Sequence, residues 1–323
     1  MIGQRGYGIR WSEMDSIRFV EPIRAEKAAL IALLRQPQVR WADVTAEVFD
    51  AGSASQVLDS YVAGRDTLFP VGDLDRVLRE AEQEILGWEA EGIGIHAFFE
   101  PSYPAQLRDI HESPPIIFTR GTLRDDLRAV AVVGTRQASP RGVGIAQAVA
   151  TALAKNEVTV VSGLAAGIDT AAHVATLEAG GRTVAVIGTG LRRTYPAANA
   201  ELQHRISQRG LVLSQFWPDG PPTKKTFPMR NAVMSGYAAA TVVVEAPWRS
   251  GARIQARLAL QHGRPVVMPR DLLAHDWARE YAERPGVYVV DNTDELLAVA
   301  EELVAEAAEG LERLRKPSAV VQF

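Results

Sequence analysis

The segment that decides the fold is Ser162-Gly163-Leu164-Ala165-Ala166-Gly167-Ile168-Asp169, which directly follows the apolar run at 158–161. An upstream apolar run, at 129–133, ends in a similar way, in Gly134-Thr135-Arg136. A β-branched run that stops at a glycine and is followed by a helical pattern predicts a strand–turn–helix unit of a parallel sheet. The backbone N–H groups at such a helix start favour an anion, so both turns are candidate phosphate sites.

The same alternation continues to the end of the chain. Apolar strand patterns fall at 129–133, 157–161, 183–187, 211–214, 240–245, 265–268 and 287–290, and helical patterns fill most of the gaps. Strands that are apolar along almost their whole length indicate a sheet covered by helices on both faces. With right-handed crossovers, this predicts an α/β fold with a doubly wound, mostly parallel, Rossmann-like sheet.

Four regions are predicted along the chain. Residues 1–20 are polar and aperiodic and are expected to form a flexible arm. Residues 21–94 carry helical periodicity and predict a small N-terminal helical domain. Residues 95–295 predict the extended Rossmann-like domain, with strand patterns at 95–99 and 116–121 leading into it. Residues 296–323 predict a C-terminal helix and tail.

Composition limits the kind of protein this is. The 323 residues carry a net charge of −4 and no cysteine, which excludes disulfides and thiolate metal sites. The sequence has no apolar run of the length that a membrane span needs and no apolar signal core at its start. We therefore expect a cytoplasmic protein without a membrane partner, in which any nucleic-acid binding depends on a local basic patch.

Such a patch is predicted at the carboxyl ends of the strands, where the loops of a parallel sheet meet. The loops after the first five strands of this alternation contain only three acidic residues, Asp169, Asp219 and Glu245. Their cations are Arg136, Arg141, Arg192, Arg193, Lys224, Lys225, Arg230, Arg249 and Arg253. Their aromatic residues are Tyr195, Phe216, Trp217, Phe227 and Trp248. Cations follow phosphates and aromatic rings stack on bases, so this edge predicts single-stranded DNA binding.

No set of residues in the sequence predicts catalysis. Gly188-Thr189-Gly190 lacks the third glycine of a dinucleotide fingerprint, and no P-loop or nucleophile elbow is present. Asp169 is interpreted as a helix N-cap, and His173 as a buried, hydrogen-bonded histidine. We predict neither an enzyme nor a cofactor, and no metal site.

The motifs together resemble one family. They are Tyr103-Pro104 with Pro114-Pro115, Val133-Gly134-Thr135-Arg136, the segment 162–169 with Ala172-His173, Gly188-Thr189-Gly190, Tyr195-Pro196, Phe227-Pro228-Met229-Arg230-Asn231, Ser250-Gly251 and Gly263-Arg264-Pro265. In this order, over about 103–269, the chain resembles the DprA/Smf family of bacterial DNA-processing proteins.

The resemblance implies a Rossmann-like domain that binds single-stranded DNA, forms a homodimer and assists a RecA-type recombinase during natural transformation, without enzymatic activity. It assigns DNA contacts to Arg136, to the turn Ser162-Gly163-Leu164-Ala165, and to Phe227 with Arg230 and Asn231. The predicted site for DNA or phosphate consists of Arg136, Ser162, Gly163, Leu164, Ala165, Gly167, Gly188, Lys224, Lys225, Phe227, Arg230, Asn231, Ser250 and Gly251.

The chain also departs from the family's pattern. Ala252-Arg253-Ile254-Gln255 stands where small and hydroxyl residues are expected, and 270–277 replaces a glycine-rich stretch that is expected to form one wall of the pocket. The C-terminal winged-helix module of some members has no counterpart in the sequence. These departures keep an alternative open, a nucleotide-binding sensor or nucleotide-processing enzyme of the SLOG/LOG type, in which Glu245 and Arg230 carry the chemistry. An adaptor that binds another protein through its N-terminal helices is a third reading.

Overall fold

The computed structural model describes residues 11–36, 39–63, 74–248 and 250–315. The chain divides into two compact units, residues 1–91 and 92–323. The first unit contains helices α1 (Trp11–Leu34), α2 (Trp41–Ala51), α3 (Ala54–Ala63) and α4 (Leu74–Ala90). Helix α1 begins at Trp11, so the second half of the predicted arm is helical, whereas residues 1–10 lie outside the described residues.

The helices of the first unit pack around an aliphatic core. Leu30, Leu33, Val44, Leu58 and Ile85 are all buried, at the spacings that place them on the inner faces of their helices. Burial of these side chains supplies most of the stability that short helices lack on their own.

The second unit contains a sheet flanked by helices. Its strands are β1 (Gly94–Ala97), β2 (Ile116–Gly121), β3 (Ala129–Gly134), β4 (Thr159–Ser162), β5 (Thr183–Val186), β6 (Leu211–Ser214), β7 (Ala240–Glu245), β8 (Val266–Pro269) and β9 (Val287–Val290). Its helices are α5 (Ala105–Arg108), α6 (Pro140–Lys155), α7 (Ile168–Glu178), α8 (Ala200–Arg209), α9 (Thr226–Tyr237), α10 (Gly251–Gln261), α11 (Asp276–Ala282) and α12 (Thr293–Arg315).

The strands of the described chain form one sheet in the order β1-β2-β6-β5-β4-β3-β7-β8-β9. All neighbours from β6 to β9 pair in parallel. Strands β1 and β2 extend the β6 edge in antiparallel pairing, which the sequence patterns at 95–99 and 116–121 did not specify. Chain order reverses at β3, which lies between β4 and β7. This is the Rossmann arrangement, and its ligand position is the crevice at that reversal.

Helices cover both faces of the sheet, which confirms the doubly wound prediction. Alternate residues of β3 belong to opposite cores, Val130 and Val132 to one and Ala131 and Val133 to the other. This follows from the two-residue repeat of a strand. Helix α12 adds Leu296 to the first of these cores, so the helix predicted as a separate region from 296 is packed into the sheet unit. None of the described helices is long and apolar enough to cross a bilayer.

Candidate functional site

A cleft of about 880 Å³ opens at the carboxyl ends of β3 and β7, at the point where strand order reverses. Its walls come from the loop after β3, the loop after β7 and the first turns of α9 and α10. The side chains that bring charge or a ring to it are Arg136, Asp169, Lys224, Phe227, Arg230 and Trp248. We call it the main cleft. A smaller cavity of about 140 Å³ adjoins it and shares Arg136, Ala165, Phe227 and Arg230 with it.

An arginine lies over an aromatic ring at the boundary of these two cavities. The exposed Arg136 guanidinium carbon lies 4.9 Å from the centre of the Phe227 ring. Phe227 in turn packs against Tyr195, with 5.6 Å between ring centres. A cation held over a ring in this way is oriented without being neutralised, so it still attracts an anion.

Arg230 brings a buried positive charge to the same place. It is 5 % exposed; its Nη1 donates to the Val186 carbonyl at 3.1 Å and lies 3.9 Å from Asp169 Oδ2. Burial lowers the pKa of Arg230; Asp169 opposes that shift, whereas Arg136 adds to it. Burial likewise raises the pKa of Asp169, against the effect of Arg230. Arg136 and Arg230 therefore repel each other, although Asp169 partly offsets the charge of Arg230, and an anion at the boundary would relieve the repulsion.

The glycine turn after β4 has a structural role in addition to the backbone contact that the sequence predicts. A Cβ at Gly163 would collide with Arg230 Nη1, so this glycine makes room for the buried arginine as well as for a ligand. Ser162 is fully buried and its Oγ donates to the Val132 carbonyl at 2.7 Å. Leu164 is also fully buried, with φ at +56°. The side chains of Ser162 and Leu164 thus hold the turn in place, and only the backbone of this turn can reach a ligand.

The start of α7 also corrects one expectation. The N-cap is Gly167, with φ at +79°, and a Cβ there would collide with the Thr135 carbonyl. Asp169 is the second residue of the helix, not its cap; its Oδ2 accepts from Ala165 N at 3.3 Å. Sequence reasoning missed Asn199, whose Nδ2 donates to the Leu164 carbonyl at 2.9 Å and so holds the strained residue of the turn.

His173 is buried and hydrogen-bonded, as the sequence predicted. Thr183 Oγ1 donates its only proton to the Val160 carbonyl at 2.8 Å, so His173 Nδ1 must be the donor in its 2.7 Å contact with Thr183 Oγ1. Burial, together with repulsion from Arg230, lowers the pKa of His173 to about 3. The imidazole is therefore neutral and supports the fold beneath the cleft.

Glu245, the last residue of β7, holds the loop that carries Arg136. Its Oε2 accepts from Ser139 N at 3.0 Å and from Ser139 Oγ at 2.9 Å. Ser139 Oγ in turn caps α6 by accepting from Gly142 N at 3.0 Å. The carboxylate predicted for chemistry in the nucleotide alternative is thus engaged in positioning a loop.

The remaining predicted site residues lie around the main cleft. Asn231 Nδ2 donates to the Gly251 carbonyl at 3.4 Å, and Ser250 caps α10 by accepting from Ala252 N. Asn231, Ser250 and Gly251 all line the cleft. Gly188 lies against the Phe227 ring in the smaller cavity. Lys225 is exposed just before α9 and does not line either cavity, unlike Lys224 in the main cleft.

The basic edge is narrower than the sequence suggested. Arg192 pairs with Asp219 at 2.6 Å, Arg193 Nε donates to the Asp219 carbonyl, and Arg141 pairs with Asp271. Arg249 lies outside the described residues. Trp217 packs against Phe118, with 5.7 Å between ring centres, at the sheet. The ligand-facing part of the edge is thus concentrated around the main cleft.

The segment after Pro269, which replaces the glycine-rich stretch of the family pattern, does not form a wall of the main cleft. It begins with a 3₁₀ turn, Arg270–Ala274, and continues into α11. No residue of 270–280 lines the main cleft in the described chain. Instead, Trp277 is buried behind it and its Nε1 donates to the Ala246 carbonyl at 3.0 Å, which supports the loop after β7. Among the described residues, no group of three His, Asp or Glu comes together as metal ligands.

Comparison with known proteins agrees with this architecture. The family model described as DNA recombination-mediator protein A matches residues 94–308. The DNA processing protein DprA of Streptococcus pneumoniae is 44% identical over 180 residues, which are 55% of this chain and 63% of that protein. The chain therefore spans less than two thirds of the length of this curated relative.

Two solved structures are similar in fold. The X-ray structure of S. pneumoniae DprA aligns with a TM-score of 0.63 and 31% identity, over 85% of this chain and 95% of that one. A structure of DNA processing protein A from Helicobacter pylori, described for its single-stranded DNA binding mode, aligns with a TM-score of 0.58 and 25% identity. That alignment covers 65% of this chain and 96% of that one.

Proposed function

The chain belongs to the DNA recombination-mediator protein A family, also called DprA/Smf, and from this premise we propose that its main cleft binds single-stranded DNA. The family membership makes DNA processing the general role. The finer proposal is that the protein holds and protects a single strand without chemically changing it.

One observation carries the proposal: Arg136 lies over Phe227 beside the buried Arg230, at the reversal of strand order. A phosphodiester between the two guanidinium groups would relieve their mutual repulsion. The rings of Phe227 and Tyr195 offer faces on which bases stack, whatever their sequence. In a duplex these base faces are already stacked, so we expect weaker binding of double-stranded DNA.

The experiment is a titration of labelled oligo-dT, read by fluorescence anisotropy, against the protein and its R136A variant. Loss of this cation is expected to weaken binding at least tenfold, about 1.4 kcal/mol. The control is R209A, which removes an exposed arginine from the C-terminal end of α8. This residue lies next to the amino end of β6, whereas the cleft lies at the carboxyl ends of the strands. Equal affinity of R136A and R209A would contradict the site assignment.

A second candidate is a nucleotide sensor or nucleotide-processing enzyme. It is favoured by the smaller cavity, where Gly163, Gly188, Tyr195 and Arg230 surround a space fit for part of one nucleotide. Against its catalytic form, the Glu245 carboxylate is engaged by Ser139. A mononucleotide that displaces the labelled strand at low micromolar concentration would favour this candidate over the first.

We further propose that the protein acts in the cytoplasm as a homodimer and passes the strand to a RecA-type recombinase, as the family resemblance implies. Analytical ultracentrifugation tests the dimer. The hand-over is tested by recombinase filament growth on DNA covered with single-strand-binding protein. No acceleration of filament growth by the protein would rule out this part of the proposal.

A further inference from the structure

A third concavity, of about 360 Å³, lies next to the main cleft along α10. Trp248, Ser250, Gly251 and Ile254 line both spaces, so they are continuous. We call the third space the outer groove. Arg253 and Arg257 line the outer groove but not the main cleft.

The outer groove combines an exposed ring with two cations. Trp248 is 56 % exposed, and the Arg253 guanidinium carbon lies 3.9 Å from the centre of its ring. Arg257 follows one turn later on the same face of α10, and its Nη1 donates to Gln261 Oε1 at 3.2 Å. No carboxylate of the described residues pairs with Arg253 or Arg257, so both charges are available to an anion.

This arrangement repeats the one at the other boundary of the main cleft. Arg136 lies over Phe227 where the smaller cavity begins, and Arg253 lies over Trp248 where the outer groove begins. An acidic peptide would use the arginines but would leave the part of the Trp248 ring that Arg253 does not cover without a partner. A nucleotide chain uses both, because it alternates flat bases with phosphates.

We propose that the outer groove is a second nucleotide-binding subsite, which takes the part of the single strand that extends beyond the main cleft. A base stacks on Trp248, and Arg253 and Arg257 neutralise the adjoining phosphates. Arg253 lies in the segment 252–255, where the sequence departs from the pattern of the family it resembles, and Arg257 follows it by one helical turn. The inference rests on the proposed function, since it extends the path of the same strand.

The test compares short and long strands. Oligo-dT of about 4 to about 16 nucleotides, a range that covers known single-domain sites, is titrated against the protein and its R253Q/R257Q variant. The shortest strand that binds is expected to bind both proteins alike. In the intact protein, affinity is expected to increase with strand length. In R253Q/R257Q this increase should be at least fivefold smaller, whereas R253K/R257K should retain most of the increase.

The matched control is R205Q/R209Q, which removes two arginines with the same spacing from α8. Equal loss at every length in R253Q/R257Q, or no loss at any length, would overturn the second subsite. Absence of binding by the intact protein at all lengths would instead refute the proposed function. Thermal unfolding of each variant separates loss of binding from loss of fold.

Discussion

At the scale of single residues, the folded structure disfavours protonation of the His173 imidazole. Its Nδ1 donates a hydrogen bond to Thr183 Oγ1, and the ring is fully buried near the positive Arg230. The folded pKa is lowered to about 3 from an unfolded value of 6.5. Between these two values the unfolded chain binds the extra proton, so acidification favours unfolding.

We therefore predict that His173 costs the protein about 2 kcal/mol of unfolding free energy as pH falls from 6.5 to about 5. The measurement is urea unfolding across this range, for the protein and for H173N, whose amide can take the place of Nδ1. Asp169, whose raised pKa acts in the opposite direction, is common to both proteins and cancels in the comparison. Parallel stability curves for the two proteins would refute the assignment.

Single residues also mark the limit of what the sequence could predict. Arg230 and Asn231 were predicted to suit an anion because both follow a phenylalanine and a proline at a helix start. That Gly163 accommodates the Arg230 side chain, 67 positions away, depends on how α9 packs onto β4 and β5. No local pattern carries such information, since the pair is joined only by the tertiary fold.

At the scale of elements, the contact between β7 and α6 decides where Arg136 lies. Glu245 ends the strand and accepts two hydrogen bonds from Ser139, the N-cap of α6. We predict that E245A lowers the unfolding free energy by about 1 kcal/mol, because this surface contact is partly exposed to water. The freed loop should also weaken binding of a short strand about threefold.

The control for this prediction is E245Q, which can still accept a hydrogen bond from Ser139. Its stability and its affinity for the strand should lie between those of the unmodified protein and E245A. Thermal unfolding and anisotropy titration measure the two effects. If E245A lowered neither the unfolding free energy nor the affinity for the DNA strand, the carboxylate would not be what positions the loop.

Element boundaries could be predicted where one local signal dominates. Strands β6, β7 and β9 begin and end at the predicted residues, and β6 and β9 are short, mostly apolar runs bounded by polar or glycine residues. Helix α9 starts at Thr226, where Thr223 Oγ1 accepts from Thr226 N and orders the preceding turn. The pairing of β1 and β2 with β6 could not be predicted, because antiparallel partners far apart in sequence carry no local mark.

At the scale of the whole molecule, an overall charge of −4 coexists with a cleft of the opposite sign. Acids neutralise many of the cations, as Asp219 does for Arg192, whereas Arg136 and Lys224 in the cleft have no acidic partner among the described residues. The salt dependence of binding should therefore be set by the few cations of the cleft. It cannot be inferred from the net charge of the protein.

Besides the buried Arg230, the cations along the proposed strand path are Arg136, Lys224, Arg253 and Arg257, of which Arg253 is half-buried and the others are exposed. If each neutralises one phosphate, the logarithm of the binding constant for a long strand should fall with the logarithm of salt concentration with a slope of about −3. R136A should make the slope less steep by about 0.7, and R253Q/R257Q by about 1.4, because single strands release about 0.7 counterions per phosphate. R205Q/R209Q should leave the slope unchanged. A slope near zero for the intact protein would mean that phosphates are not what this edge of the sheet binds.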